Sequence, residues 1–236
     1  MNKMGIKRTL LISGASRGIG KLLAEHYISV GFFVIGFSRS GASIVDSNYI
    51  HYEADICSEE NINNMIFDLS RQKITIDYLI NCAGIANMNH SFLTPYDLAE
   101  KIMRTNFLGT FLLCREIGKM MVRNKYGRII NFSSIATRIK TEGESIYIAS
   151  KYAIESLTST LSYEFAPFNI TVNAVAPCPM QTDMISHIDQ KKMELFIEKQ
   201  TIKRTCDIDD IINVTDFFMR EQSSLITGQV IFLGGV

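Results

Sequence analysis

The chain has 236 residues, 47% of them hydrophobic and 20% charged, the balance of an ordinary globule with room for one domain over residues 1–236. Lys plus Arg and Asp plus Glu number 24 each, so the formal charge is zero and the basic excess of a nucleic-acid or anionic-membrane binder is missing. Five cysteines and four histidines are scattered, with no C-x-x-C pair, and so suggest neither a disulfide framework nor a metal site.

The first apolar run, 9–12, stops at Ser13-Gly14 and is too short for a leader peptide. No stretch approaches the roughly 20 apolar residues of a membrane span. A reducing cytoplasm is the expected setting.

Along the chain, short apolar runs alternate with helical patterns. The runs lie at 8–13, 32–37, 49–53, 76–81, 127–133, 170–175 and 229–233, and several are apolar nearly throughout, as parallel strands covered on both faces must be. Helical patterns occupy 18–30, 59–70, about 96–123 and 147–165, and a last one starts at Asp207, a good N-cap. In the first, Ile19, Leu22, Leu23, Tyr27 and Val30 share a face, and in the second Ile62, Met65, Ile66 and Leu69 do. This alternation predicts an α/β fold, a doubly wound parallel sheet with helices on both faces and right-handed crossovers. Ligands bind such sheets at the carboxyl ends of the strands.

The first run leads into Ser13-Gly14-Ala15-Ser16-Arg17-Gly18-Ile19-Gly20, a G-x-x-x-G-x-G loop opening a helix. Glycines let the backbone approach a pyrophosphate, and the free N–H groups at a helix start favour the anion. Taken alone, the loop serves a strand–helix turn as well as a nucleotide. The second run ends Gly36-Phe37-Ser38-Arg39, without the carboxylate that would hold the ribose 2′-hydroxyl of NAD. Arg17 and Arg39 are placed to clamp a 2′-phosphate instead, which points to NADP(H); the alternative is a pair of solvated surface charges.

Tyr147-Ile148-Ala149-Ser150-Lys151 sets a phenol and an ammonium one helical turn apart on the same face. A neighbouring cation stabilises a phenolate and makes tyrosine a usable acid, although an exposed polar pair has the same spacing. Ser133-Ser134 ends the fifth run, with Ser134 thirteen positions before Tyr147, and Asn81-Cys82-Ala83-Gly84 ends the fourth at the same sheet edge. Asn106 lies in the long helical pattern between them.

In order and spacing, the glycine loop 14–20, Asn81–Gly84, Asn106, Ser134, Tyr147 and Lys151 resemble the motifs of the short-chain dehydrogenase/reductase family. So do Asn173-Ala174-Val175-Ala176-Pro177, Thr182 and the closing Ile226-Thr227-Gly228 with Gly234-Gly235. The resemblance spans residues 8–235 and implies a Rossmann-type, seven-stranded parallel sheet ordered 3-2-1-4-5-6-7. It implies that Tyr147 protonates the carbonyl oxygen and that Lys151 lowers the Tyr147 pKa and holds the nicotinamide ribose. It further implies that Ser134 orients the carbonyl and that Asn106 anchors a water that reprotonates Lys151. Ser133 is the rival to Ser134, but the thirteen-residue spacing favours Ser134 and turns Ser133 to the opposite face.

An NADP(H) cradle follows from the same resemblance. It takes Gly14, Ser16, Arg17, Gly18, Ile19 and Gly20 from the first loop, Ser38 and Arg39 after the second strand, and Asp55 and Ile56 after the third. Asn81, Ala83 and Gly84 come after the fourth, joined by Tyr147, Lys151, Pro177 and Thr182.

Cys178 stands where the family usually has glycine, in Pro177-Cys178-Pro179, which makes the nicotinamide loop bulkier; a packed small hydrophobe or a reactive thiol are its two readings. The 3-oxoacyl-carrier-protein reductases are the nearest look-alikes within the family. Lys125 and Arg128 match part of the basic surface with which they dock their carrier, whereas Phe168 and Asn169 do not. Arg138, Lys140, Glu142 and Glu144 make the segment before Tyr147 charged; these residues are solvated loop charges or the sign of a polar substrate.

The expectation is therefore a cytoplasmic NADPH-dependent carbonyl reductase acting on a small-molecule carbonyl substrate, free or carrier-protein-bound, with a 3-oxoacyl thioester first. A sugar, polyketide or other small metabolite is the alternative substrate, and a catalytically silent NADP(H)-binding sensor or scaffold the alternative of another class. The resemblance also implies a homodimer or homotetramer built on the helices near 96–123 and 147–165. Ala149, Ala153, Ser156 and Thr160 form a row of small residues that admits a neighbouring subunit or packs on the chain's own sheet. Residues 178–205, with Met180, Met184, Met193 and Phe196, are expected to cover the substrate.

Overall fold

A computed structural model describes residues 8–180 and 190–236, the side chains of 190–192 excepted. Seven parallel strands form one sheet in the order β3-β2-β1-β4-β5-β6-β7. They are β1 Thr9–Ser13, β2 Phe33–Ser38, β3 Tyr49–Glu53, β4 Tyr78–Asn81, β5 Gly127–Phe132, β6 Ile170–Ala176 and β7 Val230–Phe232. Each falls on a run read from the sequence; β1, β2, β4, β5 and β6 are buried, as strands covered on both faces must be, while the edge strands β3 and β7 are half-buried.

The helices are α1 Gly18–Ser29, α2 Glu59–Arg71, α3 Tyr96–Met103, α4 Gly109–Asn124, α5 Ala136–Ile139, α6 Ser145–Phe165, α7 Gln190–Glu198 and α8 Ile208–Met219. Successive strand residues feed opposite layers. Leu10 and Ile12 pack with Leu23 and Tyr27 of α1 and Ile211 and Phe218 of α8, while Leu11 packs with Ile62 and Leu69 of α2, Leu113 and Ile117 of α4 and Leu161 of α6. Asp207 caps α8 in a reciprocal pair with Asp210.

Two expectations are corrected. In α1, Leu22 stands 37% exposed, Val30 just past the helix end stands 55% exposed, and the buried face is Gly20, Leu23, Ala24 and Tyr27. The long pattern 96–123 is not one helix: Arg104–Leu108 form a π-helical turn between α3 and α4. The region 178–205 contains α7, while Thr182 and Met184 lie outside the described residues.

The small row of α6 has a settled direction. Ala149, Ser156 and Thr160 are exposed, whereas Ser150, Lys151, Ile154, Thr158 and Leu161 face the sheet. No helix among the described residues is long and apolar enough to cross a membrane.

Candidate active site

The sheet itself makes the cleft. From β1 the chain order runs one way through β2 and β3, and from β4 the other way, so the loops after β1 and β4 part above the register partners Ser13 and Asn81. The Ala83 amide donates to the Ser13 hydroxyl at 3.0 Å and keeps the two loops side by side. Two adjoining chambers result, of about 950 and 650 Å³, sharing Ile19, Cys82, Gly84 and Ala86.

The first chamber is lined by Gly14, Ser16, Arg17, Gly18, Ile19 and Gly20, by Ser38 and Arg39, by Asp55 and Ile56, and by Ala83 and Gly84. Behind the loop the backbone is pressed together. A Cβ on Gly14 would stand 2.9 Å from the Ala83 Cα, and one on Gly20 would collide with the Gly14 carbonyl. In front it is bare: Gly18 has φ +56°, and a Cβ there would meet nothing. The α1 N-terminus has no side-chain cap and no acidic residue in its first turn, so its amides and dipole are free for an anion. These residues fit the pyrophosphate of a dinucleotide.

Arg17 and Arg39 are exposed at the chamber mouth, and neither side chain forms an ion pair among the described residues. The arm carrying Arg39 is tied down by a histidine that the sequence did not flag. His51 Nε2 lies 3.0 Å from the Ser40 carbonyl and 3.1 Å from the Ser38 hydroxyl, with its Nδ1 2.7 Å from the Tyr49 hydroxyl. The Asp55 carboxylate accepts the Cys57 amide at 2.9 Å at the chamber wall.

Asn81, expected at the cofactor, turns into the interior instead. Its amide donates to Asn131 Oδ1 at 2.8 Å, and Asn131 donates to Thr158 at 2.9 Å, a polar ladder that joins β4, β5 and α6.

The second chamber is lined by Ser134, Tyr147, Lys151 and Pro177. Lys151 is buried and its Nζ donates to the Phe132 carbonyl at 2.8 Å, with the ammonium 5.7 Å from the Tyr147 ring centre. Ser134 follows the end of β5; its hydroxyl accepts the Ala136 amide at 3.2 Å and lies close enough to the Tyr147 phenol to pull its pKa down. Ser133 faces elsewhere, donating to Glu155 at 2.7 Å.

The π turn explains Asn106. Buried there, it accepts the Ile85 amide at 2.8 Å, donates to the Ile85 carbonyl at 2.9 Å and donates to Ser150 at 3.0 Å. Its own carbonyl accepts the Thr110 hydroxyl at 2.8 Å. Asn106 thus pins the loop after β4 to the catalytic-helix candidate, α6.

The electrostatics differ from the simple picture of an acidified phenol. Burial pushes Tyr147 up to about 12, with the Ser134 hydrogen bond pulling it down and the Glu144 charge pushing it up. Burial also drives Lys151 down to about 8, opposed by Cys82. Desolvation is the largest cause for both groups, and neither is among the causes of the other's shift; the Lys151 donor is directed at the strand end. A phenol that keeps its proton beside a serine hydroxyl can donate to a carbonyl oxygen.

Several other expectations meet plain outcomes. Cys178 is 7% exposed and packs into the core, yet it also lines the second chamber; contact with Cys206 lowers its thiol pKa, and the thiol lies 3.9 Å from the Arg204 carbonyl. Arg128 is 2% exposed, lies 4.5 Å over the Tyr126 ring and donates to the Gly127 carbonyl, so it is not a surface docking cation. Met180, Met193 and Phe196 do line the second chamber. Glu144, read as one of a set of loop charges, is buried in its wall. An acid three residues before the tyrosine, at the start of its helix, is the signal that would have singled it out.

The family model described as enoyl-(acyl carrier protein) reductase matches residues 14–235. The chain is 33% identical over 234 residues to the 3-oxoacyl-[acyl-carrier-protein] reductase FabG of Rickettsia felis, covering 97% of this chain and 95% of that one. Among solved structures it superposes on a short-chain dehydrogenase of Leptospira borgpetersenii with bound NAD+, at a TM-score of 0.90, 26% identity and coverage of 97% and 92%. It also superposes on ElxO with NADP bound, at a TM-score of 0.88, 27% identity and coverage of 97% of each chain.

Proposed function

The chain belongs to the short-chain dehydrogenase/reductase family, and from that premise we propose that it is an NADPH-dependent carbonyl reductase whose first substrate is a 3-oxoacyl thioester. The observation that carries the reading is the meeting of Ser134, Tyr147 and Lys151 in a chamber that shares walls with the anion-ready α1 N-terminus. A bound nicotinamide supplies the hydride, and accepts it in the reverse, alcohol-oxidising direction. Ser134 donates to the substrate carbonyl and steadies the charge that grows on its oxygen. Tyr147 passes its phenolic proton to that oxygen as the C–O π bond opens. Lys151 holds the nicotinamide ribose hydroxyls and offsets the charge left on Tyr147. Asn106 keeps the loop after β4 in register with α6.

Arg17 and Arg39 take the 2′-phosphate. Their support is the pair of unmatched guanidinium groups at the chamber mouth and the absence of a carboxylate at the end of β2. NADP(H) is therefore the proposed cofactor. Its cradle is Gly14, Ser16, Gly18, Ile19, Gly20, Ser38, Asp55, Ile56, Ala83, Gly84 and Pro177, with Thr182 carried over on the family pattern alone.

The 3-oxoacyl reading is supported by the Rickettsia felis relative and by the apolar side chains of Met180, Met193 and Phe196. A polar ketone, such as a sugar or another hydroxylated metabolite, is the second reading, favoured by the buried Glu144 in the same chamber. Five unpaired cysteines fit a reducing cytoplasm, and the outward small face of α6, beside exposed Leu108 and Phe111, fits a homodimer or homotetramer.

Following NADPH absorbance with an acetoacetyl thioester, free ketones and ketoses tests the proposal. Turnover of the thioester supports it and turnover of ketoses alone moves it to the second reading. No oxidation of NADPH by any carbonyl would leave a silent binding protein.

A further inference from the structure

The second chamber contains a carboxyl group that carbonyl reduction does not require. Glu144 is the residue at the start of α6, one turn before Tyr147 on the same helix face, and is 8% exposed. A buried carboxylate normally has a cation, helix amides or several hydrogen-bond donors. Glu144 has little of this. It makes no side-chain cap to α6, no neighbouring cation acts on it, and its one hydrogen bond is from the Thr141 hydroxyl to Oε2. Oε1 receives no donor among the described residues, although Glu144 lines the chamber. Burial accordingly raises its carboxyl above the ordinary range, with Thr141 pulling the other way.

We infer that Glu144 is a specificity-determining residue whose free carboxylate oxygen receives an N–H or O–H donor of the substrate, in the same chamber as the carbonyl that Tyr147 protonates. The inference rests on the carbonyl-reductase reading of Tyr147, and it adds what the neighbouring part of the substrate must be. A purely aliphatic group at that place would leave the carboxylate desolvated and unpaired, and an anionic group would be repelled. Two substrate chemistries carry the required donor: the amide of a pantetheine-type thioester arm and the hydroxyl of a hydroxyketone. Met193 and Phe196 then cover the apolar remainder of either. Sites built to pair a donor discriminate strongly against the analogue that lacks it, because the buried partner is left unsatisfied.

Two matched pairs test this. One is the acetoacetyl thioester of N-acetylcysteamine against its N-methylated amide; the other is 1-hydroxy-2-butanone against its methyl ether. Each is measured as kcat/KM with NADPH, and as Kd by calorimetry on the NADP+-loaded protein, for the wild type, Glu144→Gln and Glu144→Leu. The expected result is a preference of at least about tenfold for the donor-bearing member of one pair, and which pair shows it identifies the donor. Glu144→Leu should collapse that ratio towards one, mainly through KM and Kd, while Glu144→Gln, which keeps an acceptor oxygen, retains most of it. A wild type without preference in either pair, or a Leu variant that keeps the preference, overturns the inference. Failure of the wild type to turn over any ketone would refute the reductase reading instead, and the calorimetric ratios would still decide the role of Glu144.

Discussion

The Lys151 ammonium donates to the carbonyl of Phe132, the last residue of β5, at 2.8 Å. A helix residue is thus bolted to the end of the strand that carries Ser134 two positions later, and the phenol, hydroxyl and ammonium share one rigid corner. The position is costly. Burial lowers Lys151 from its ordinary 10.5 to about 8, so between these values the unfolded chain holds more protons than the folded one and stability rises with pH. At about 1.4 kcal/mol per pH unit, the charged side chain costs on the order of 3 kcal/mol at neutral pH. Lys151→Met should therefore gain stability on the wild type at pH 7 relative to pH 10.5, as read by urea unfolding at both. A stability difference that does not vary with pH would contradict this.

The same group sets a limit on activity. Above about pH 8 the buried ammonium loses its charge, while Tyr147 keeps its proton until about 12. For reduction, kcat/KM for NADPH should fall as pH rises through about 8, with no second fall from Tyr147 below pH 10. Lys151→Arg, whose guanidinium stays charged, should lose much of its activity yet show a flat profile over this range. A wild-type profile that is flat from pH 7 to 10 would be the opposite result.

Gly20 and Gly18 differ in what an added side chain would meet. A Cβ on Gly20 collides with the Gly14 carbonyl, whereas one on Gly18 meets open space and has only its left-handed backbone to contend with. Gly20→Ala should destabilise the fold by about 1–3 kcal/mol, and Gly18→Ala by roughly 1 kcal/mol. Both should weaken NADPH binding, the second through crowding of the pyrophosphate. Thermal unfolding with and without NADPH reads both quantities. The ordering fails if Gly18→Ala unfolds first without cofactor.

Much of this was legible because parallel strands covered on both faces are written as apolar runs, as β1, β2, β4, β5 and β6 are, while the edge strands β3 and β7 are only half-buried. The Tyr147–Lys151 spacing placed both groups correctly because one helical turn is a local relation. What escaped the sequence depends on tertiary context. The π turn at 104–108 has no local composition that sets it apart from its helical neighbours, and only the demand on Asn106 from Ile85 and Ser150 gives it a reason. Asn81 sat in a recognisable motif yet points into a buried polar ladder, since its partner Asn131 lies on a strand fifty residues away. Glu144 and Arg128 carry charges that composition assigns to solvent, and both are buried. Leu22 and Val30 fit the periodicity of α1 but are exposed, Val30 lying one residue beyond the helix.

The proposed preference for NADP(H) rests on two exposed cations, Arg17 and Arg39. Arg39 lies on an arm that His51 holds at Ser38 and Ser40, so a substitution at Arg39 leaves the arm in place. Arg39→Asp should lower the NADPH-to-NADH ratio of kcat/KM by at least about tenfold, as expected for loss of a charge-assisted bond to phosphate and the gain of a like charge. An unchanged ratio would remove the 2′-phosphate clamp.

The most direct measurement is made on Tyr147→Phe, which deletes one oxygen from the wall of the second chamber. NADPH affinity by fluorescence titration and turnover of an acetoacetyl thioester are compared with the wild type. Loss of turnover by at least about a thousandfold, with NADPH Kd within a few-fold of the wild type, is the expected result. Turnover persisting within tenfold, or affinity lost in parallel with rate, would contradict a proton donated from this phenol.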